Sequence, residues 1–262
     1  MEEIEQKEVK EQEDVSKNTE VADTFEKEIE VPSNGALGGP KKITIRAMTT
    51  AEEKILYSVR DESYIKRICK ACTVSPKSLD MSKITPNDLM FILFQIRELT
   101  FGSIYKQPIR CPFCGKVQEV DINIADFDYT LLDEDKSELF IDLPITKANV
   151  HLKLLSQQEI DNIDNEAAKL YRDGKVSDPD GHSMVKKVTA MIDTVTGVDF
   201  QNDNDKFAWV NKLHLADFNT ITNAIGKIKY GINNTTTVKC EFCDEEVEVN
   251  GTVCPEFFRP TV

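Results

Sequence analysis

Two pairs of cysteines have the spacing of a metal site. Cys111 and Cys114 occur in "CPFCG", and Cys240 and Cys243 occur in "CEFCD". A Cys-x-x-Cys turn places two thiolates on one metal ion, and a tetrahedral zinc site takes four such ligands. Because four thiolates leave no open coordination position for water or substrate, the sequence predicts one structural zinc ion held by all four cysteines. Ordinary thiols or disulfides are the alternative interpretation.

The residue that follows each pair supports the metal interpretation. A left-handed backbone is often needed directly after the second cysteine of such a turn. Gly115 adopts that conformation without steric cost, and Asp244 tolerates it better than most residues. Each pair therefore predicts a knuckle, which here means a tight turn that presents two thiols to one ion.

The three remaining cysteines lack this context. Cys69 and Cys72 lie in "YIKRICKACTV", whose pattern predicts a helix, so packed thiols are favoured over a metal half-site completed by a partner or a redox pair. A redox pair would need a low thiol pKa at a helix start, whereas these cysteines lie late in the predicted helix. Cys254 in "VCPEFFRP" is interpreted as a small apolar residue.

No catalytic motif accompanies the cysteines. His151, His182 and His214 are predicted to lie in a strand, a loop and an amphipathic segment, without a Glu, Cys or Ser that would form a catalytic set. "SDPDGH" and "QNDNDK" are predicted to be turns, because a calcium loop needs a longer ordered spacing that ends in a bidentate glutamate. The sequence lacks a phosphate-binding loop and a nucleophile elbow. It therefore predicts a non-enzymatic protein without a small-molecule substrate.

The elements that lead into each knuckle occur twice. "DLMFILFQIRELTFGSIYKQPIRCPFC", which begins at Asp88, aligns without a gap on "DFNTITNAIGKIKYGINNTTTVKCEFC", which begins at Asp217, at a constant offset of 129 residues. Each copy predicts a helix that ends at an aromatic residue followed by glycine, Phe101–Gly102 and Tyr230–Gly231. A hairpin that carries the cysteines follows in each copy.

A second similarity lies upstream of these segments. "KITIRAM" alternates like a half-buried strand and precedes a helix capping box of Thr49 and Glu52, while "VHLKLL" precedes a box of Ser156 and Glu159. We interpret the chain as a diverged tandem duplication, with repeat 1 at 41–130 and repeat 2 at 131–262. The predicted fold class is α+β, with two strand-helix repeats joined by a zinc ribbon made of the two cysteine hairpins.

The charge is concentrated at the start of the chain. The net charge is -14, and residues 1–32 carry 12 acidic residues against 4 lysines. Such a segment buries too little apolar surface to offset its ordering entropy, so residues 1–40 are predicted to form a disordered acidic tail and linker. The chain lacks the basic excess that favours nucleic-acid binding and the roughly 20-residue apolar run that spans a membrane.

The start of repeat 1 resembles a known family. "VPSNG", the basic strand after it and "MTTAEEKIL" resemble the opening of the baseplate-protein family of contractile-tailed bacteriophages, over residues 31–124 and more weakly in the second copy. The resemblance implies a baseplate or hub component, or a factor that assembles the hub. It implies other tail proteins as partners, and a place in the host cytoplasm during assembly or in the virion tail. It supplies no catalytic residues.

Two interpretations of the partner remain open. The apolar run Met90–Phe94 is either a surface for tail proteins or part of the core.

The alternative function is a zinc-ribbon regulator of transcription or replication that binds polymerase or nucleic acid, which would need a basic face at the knuckles. That face is mixed, because its basic residues are balanced by acidic ones. The basic residues are Arg110, Lys116 and Lys239, and the acidic ones are Glu119, Glu241, Asp244, Glu245 and Glu246.

Overall fold

The computed structural model describes residues 25–58, 63–133 and 138–259, which form twelve strands and seven α-helices. The strands are β1 (Glu26–Glu30), β2 (Lys42–Arg46), β3 (Thr73–Ser75), β4 (Ile104–Arg110), β5 (Val117–Asn123), β6 (Tyr129–Thr130), β7 (Glu138–Asp142), β8 (Asn149–Lys153), β9 (Ile192–Val195), β10 (Gly231–Ile232), β11 (Thr235–Lys239) and β12 (Glu246–Asn250). The helices are α1 (Thr50–Ser58), α2 (Ser63–Cys72), α3 (Pro86–Phe101), α4 (Gln157–Arg172), α5 (Pro179–Met191), α6 (Asp203–Val210) and α7 (Leu215–Ile225). Mixed helix and sheet is the class expected from the sequence.

The chain builds two lobes around sheets of the same design. Lobe 1 has the antiparallel sheet β1-β2-β3 with helices α1 to α3, and lobe 2 has β7-β8-β9 with helices α4 to α7. The pairing with the third strand shifts register at the same place in each sheet, between Thr44 and Ile45 in lobe 1 and between His151 and Leu152 in lobe 2. The two sheets are therefore similar in strand order, in strand direction and in the position of their register shift.

A buried carboxylate ties the main helix of each lobe to its sheet. Asp88, at the start of α3, accepts a hydrogen bond of 2.8 Å from the backbone N–H of Ser33. Asp217, at the start of α7, accepts bonds of 2.8 and 3.0 Å from the backbone N–H groups of Ile145 and Thr146. Both aspartates are fully buried, and both bond to the turn that follows the first strand of their lobe. These bonds satisfy backbone donors that would otherwise be buried without a partner.

The acidic segment is ordered from residue 25, so the prediction of a disordered tail and linker over 1–40 is wrong for residues 25–40. Residues 1–24 lie outside the described residues. Ile29 and Val31 are only 5% and 1% exposed, which anchors β1 in the core. On β2, Lys42 forms ion pairs of 3.4 Å with Glu28 and with Glu30. The acidic alternation of β1 therefore suits an edge strand, and lobe 1 begins before residue 41.

The two main helices end differently. Helix α3 ends at Phe101 and Gly102 follows with a φ of 84°, as the sequence predicts. Helix α7 ends at Ile225, several residues before the predicted end at Tyr230–Gly231. Gly226 follows directly, and glycine costs about 1 kcal/mol relative to alanine inside a helix. The glycine at this position explains why the second helix is shorter than its counterpart.

Both Asp-rich segments begin helices, so their prediction as turns is wrong. Asp178 caps α5 by accepting a hydrogen bond of 3.0 Å from the N–H of Gly181. Asn202 caps α6, because its side-chain oxygen accepts hydrogen bonds from the backbone N–H groups of Asn204 and Asp205. Short polar side chains are the preferred caps of a helix start, and this is what the two segments supply. His182 consequently lies in α5 rather than in a loop.

The apolar run Met90–Phe94 belongs to the core, so its interpretation as a partner surface is wrong. Phe91 is 3% exposed, and the three residues after it are fully buried. The C-terminal 3-10 segment Pro255–Phe258 covers α3, with the rings of Phe94 and Phe257 5.0 Å apart. The sheet and this segment both contact α3 and cover its apolar side chains.

The ion pair at the start of α1 gives a pH-dependent prediction. Glu52 is 7% exposed in its side chain, lies 2.8 Å from Arg46 and accepts hydrogen bonds from Thr49. Burial raises the pKa of Glu52, but the bonds from Arg46 and Thr49 outweigh burial and lower the pKa to about 2. A depressed pKa means that the carboxylate stabilises the fold above its ordinary pKa of 4.5 and loses this contribution as pH falls toward 2.

We expect Glu52→Gln to lower the free energy of unfolding by on the order of 2 kcal/mol at pH 7, and by progressively less between pH 4.5 and 2. Urea denaturation at pH 7, 4 and 2.5 measures this difference. The matched control is Glu159→Gln, which removes the equivalent pair with Lys153 in lobe 2, where the charges lie 3.8 Å apart and both side chains are more than 40% exposed. The control should lose less than about 1 kcal/mol. Equal losses for both variants would contradict the prediction.

Candidate metal centre

The four predicted cysteines come together in one cluster. Their sulfur atoms all lie within 4.8 Å of one another. The Sγ atoms of Cys111 and Cys243 are 3.7 Å apart, and those of Cys114 and Cys240 are 3.8 Å apart. A disulfide would bring two sulfurs to about 2.05 Å, so neither contact is a disulfide. A tetrahedron with metal–sulfur bonds of about 2.3 Å has edges of about 3.8 Å, so the thiols fit a tetrahedral zinc ion.

Each cysteine pair lies at the tip of a hairpin. Hairpin 1, made of β4 and β5, carries Cys111 and Cys114, and hairpin 2, made of β11 and β12, carries Cys240 and Cys243. The same two backbone hydrogen bonds close both knuckles, all at 2.9 Å. They run from Cys111 N–H to the Lys116 carbonyl, from Gly115 N–H to the Cys111 carbonyl, from Cys240 N–H to the Glu245 carbonyl and from Asp244 N–H to the Cys240 carbonyl. The two hairpins therefore present their thiols in the same way.

The residue after each pair is left-handed, as the sequence predicts. Gly115 has a φ of 73° and Asp244 has a φ of 60°. In this conformation the chain turns back into the second strand of the hairpin directly after the second cysteine. The backbone N–H of Cys114 bonds to the sulfur of Cys111, and that of Glu245 bonds to the sulfur of Cys243, where they stabilise negative charge.

Two thiols of the cluster, those of Cys111 and Cys243, have shifted pKa values. The backbone N–H of Cys114 lowers the pKa of Cys111 to about 7. The N–H of Glu245 acts in the same direction on Cys243, but burial and the neighbouring thiols raise the pKa of Cys243 to about 12. One thiol of the cluster thus ionises readily, and further charge accumulates only against repulsion. A divalent cation removes that repulsion, and its binding would release protons from the remaining thiols.

Two buried glutamines hold the hairpins together beside the cysteines. Gln118, on β5, accepts a hydrogen bond of 3.0 Å from the N–H of Glu241 in the second knuckle. Gln107, on β4, donates to the carbonyl of Asn250 at 2.9 Å and accepts from the N–H of Thr252 at 2.8 Å. Neither glutamine was predicted from the sequence to contribute to the site. The alternation of β4 and β5 could have placed them on the inner face, but it contains no information about their partners.

A glycine allows hairpin 2 to approach hairpin 1 closely. A Cβ on Gly251 would lie 2.6 Å from the Cζ atom of Phe127 and 3.0 Å from the hydroxyl oxygen of Tyr105. We expect Gly251→Ala to lower the free energy of unfolding by about 1–3 kcal/mol, because the aromatic rings have to move. Chemical denaturation measures the loss.

Gly226→Ala is the control for this prediction. Gly226 has a φ of -64°, which any residue adopts, and an added Cβ would have its nearest contact at 3.6 Å. The alanine should leave the free energy of unfolding unchanged or raise it by up to about 1 kcal/mol. A Gly251→Ala protein as stable as this control would show that the close approach is not required.

The other cysteines lie outside the cluster. Cys69 and Cys72 are in the last turn of α2 and fully buried, as expected for packed helix thiols. Burial raises the pKa of Cys69, and it raises that of Cys72 to about 12. Such thiols fit neither a redox pair nor a half-site that a partner completes. Cys254 is partly buried, with its sulfur 3.8 Å from the carbonyl oxygen of Lys106.

The histidines contribute to packing and capping. The ring of His151, on β8, stacks on Phe140 with centroids 4.4 Å apart, and the ring of His182 contacts the edge of Phe207. His214 caps α7, where its Nδ1 accepts a hydrogen bond from a backbone N–H. Among the described residues, the four cysteines are the one group of His, Cys, Asp and Glu side chains spaced to hold a metal ion.

Comparison with known proteins places the chain in a family. A family model described as T4 bacteriophage base plate protein matches residues 24–259, which include both lobes and all four cysteines. Neither the curated proteins nor the solved structures gave a match to this chain. None of the described helices has the length and apolar character needed to cross a membrane. Because the matched range covers most of the sequence, the chain belongs to the T4 bacteriophage base plate protein family.

Proposed function

We propose that the protein is a non-enzymatic structural or assembly component of a phage tail baseplate or its hub, and that it binds other tail proteins. Family membership over residues 24–259 carries this proposal. The protein would meet its partners in the host cytoplasm during assembly, and a structural component would then remain in the virion tail. The resemblance of "VPSNG" and "MTTAEEKIL" to baseplate proteins is consistent with the family match over the same region.

The proposal includes one structural zinc ion bound by Cys111, Cys114, Cys240 and Cys243. Each hairpin supplies only two thiols, so neither hairpin completes a four-ligand site alone. The contacts across the cluster join residues that are 132 and 126 positions apart in the sequence. A metal ion at this position would therefore cross-link the two halves of the chain. A closed site of four thiolates supports a structural role for the ion rather than a catalytic one.

We also propose that the two lobes arose by duplication of one segment. Several similarities support this origin: the equal strand order of the two sheets, their equal register shift, the knuckles, and the buried pair Asp88 and Asp217 at the predicted offset of 129. In each lobe a basic residue on the middle strand pairs with the glutamate of the capping box that follows. These pairs are Arg46 with Glu52 and Lys153 with Glu159.

Size-exclusion chromatography with light scattering tests the proposed function. The full-length protein is mixed in turn with each baseplate and hub protein of the same phage, and the masses of the eluting complexes are measured. We expect co-elution with at least one of them, at a mass equal to the sum of the two proteins. If the protein co-elutes with none of them and phage assembly proceeds without it, the proposed function is wrong.

A further inference from the structure

In lobe 1 a segment of the chain itself covers the helices. The 3-10 segment Pro255–Phe258 lies against α2 and α3. The ring of Phe258 contacts the ring of Tyr64 on α2, with centroids 5.9 Å apart. The ring of Phe257 contacts Phe94 on α3 at 5.0 Å, and Phe257 is fully buried. Two adjacent aromatic side chains thus complete the core of this lobe.

In lobe 2 the equivalent helices, α5 and α7, leave an open cleft of about 420 Å³. Its floor is apolar and includes Met184, Val188 and Ile225. Met184 is 52% exposed, which is unusual for a side chain of this kind. Ile225 aligns with Ile96 at the offset of 129, yet Ile96 is fully buried whereas Ile225 is only partly buried. The cleft has the size of typical ligand pockets, about 300–1,000 Å³.

The rim of the cleft carries an excess of negative charge. Asp164 and Asp180 are the acidic residues of the lining, and Lys187 is its basic residue. Lys187 is already paired with Asp164 at a distance of 2.7 Å, and Asp164 also accepts a hydrogen bond from Ser183. This leaves Asp180, which is exposed, to attract a cation. An occupant with a basic residue beside its apolar part would match this charge.

We propose that this cleft binds a short segment of another tail protein, one that carries two adjacent aromatic side chains followed by an arginine or lysine. The segment that covers lobe 1 has this chemistry, because Arg259 follows Phe257 and Phe258. Aromatic side chains that enter an apolar pocket are the usual anchors of a protein interface. The identity of the partner as a tail protein rests on the proposed function, whereas the cleft and its charge do not.

A peptide of residues 252–262 with Cys254→Ser is the probe, because it contains the aromatic pair and the arginine. Its binding to the full-length protein is measured by fluorescence anisotropy. We expect Met184→Lys to weaken binding at least tenfold, since a lysine in the cleft repels the basic residue and covers the apolar floor. Leu215→Lys is the matched control: this side chain is 68% exposed, lies on α7 outside the cleft lining, and should leave binding unchanged.

Variants of the peptide separate the two contributions to binding. Replacement of both phenylalanines by serine should abolish binding, and replacement of the arginine by glutamate should weaken it several-fold. Absence of binding by the original peptide, or equal binding to Met184→Lys and wild type, would overturn the inference. Wild-type protein that forms dimers by light scattering, together with a monomeric Met184→Lys protein, would identify a second copy as the occupant and would also overturn it.

Co-elution of Met184→Lys with tail proteins distinguishes this inference from the proposed function. We expect the variant to lose at least one partner that wild type binds. If every partner still co-elutes with the variant, the cleft is not a docking site, but the proposed function holds. If wild type co-elutes with none of the tail proteins and phage assembly proceeds without it, the proposed function fails whether or not the peptide binds.

Discussion

Purified protein is expected to carry one zinc ion per chain, and Cys240→Ser is expected to lose it. Cys240 is fully buried. A serine at this position removes one of the four thiolates, and its neutral hydroxyl does not replace a thiolate as a zinc ligand. Structural zinc contributes about 10–16 kcal/mol of binding free energy in small zinc modules, and metal binding of this kind is coupled to folding. Without the ion, the hairpins retain the glutamine bridges, the contact of Lys116 with the ring of Phe242 and their local packing. The loss of stability in Cys240→Ser should therefore exceed that of any other substitution proposed for this chain.

Native mass spectrometry with and without a chelator measures the zinc count, and thermal denaturation measures the accompanying loss of stability. Cys254→Ser is the control, because this cysteine lies outside the cluster. The control should keep its zinc and its melting temperature. Metal-replete wild-type protein without bound zinc, or Cys240→Ser protein with a full zinc content, would show that the four cysteines are not a zinc site.

The knuckles were predictable because their determinants are local. The spacing of two residues between cysteines fixes the turn, and the residue after the second cysteine has to be left-handed, which Gly115 and Asp244 both are. The contact between the two knuckles is not local. It was predictable only because a tetrahedral ion needs four ligands and because the two copies align at a constant offset. The structure brings the four sulfurs together within 4.8 Å of one another.

The first strand of lobe 1 was not predictable from composition. The segment "EKEIE" has the charge of a disordered chain, yet it forms β1. Its order depends on single side chains, namely the apolar Ile29 and the ion pairs that Lys42 supplies from the neighbouring strand. An average over the segment does not contain this information. The Asp-rich helix starts were missed for a similar reason, because a helix cap and a turn use the same residue types.

The interior of α3 contains a residue that no pattern of apolar spacing would place there. Arg97 is fully buried, and its charge has carbonyl oxygens as partners rather than a carboxylate. Its Nε donates to the carbonyl of Phe257 at 3.1 Å, its Nη2 donates to that of Ile104 at 2.6 Å, and its Nη1 donates to that of Gly102. Burial lowers the pKa of Arg97. The residue joins the end of α3, the start of hairpin 1 and the C-terminal segment.

The counterpart of Arg97 at the offset of 129 is Gly226, which has no side chain to reach a covering segment. This difference explains why the two lobes are completed differently. In lobe 1 the arginine fixes the segment that contains Phe257 against the helix. In lobe 2 no such donor exists at the equivalent position, and the cleft between α5 and α7 stays open. The pair Arg97 and Gly226 is thus one difference between the lobes that bears on whether a segment covers the helices.

We expect Arg97→Met to lower the free energy of unfolding by about 3–5 kcal/mol, because three carbonyl groups, including that of the fully buried Phe257, lose a charged donor at once. Methionine keeps most of the side-chain volume, so the loss measures the hydrogen bonds rather than a cavity. Urea denaturation gives the free energy, and hydrogen exchange over residues 252–259 reports whether the C-terminal segment has detached. Arg67→Met, on the exposed side of α2, is the control and should change stability by less than about 0.5 kcal/mol. A loss below 1 kcal/mol in Arg97→Met, with unchanged exchange, would mean that the aromatic contacts of Phe257 hold the segment without the arginine.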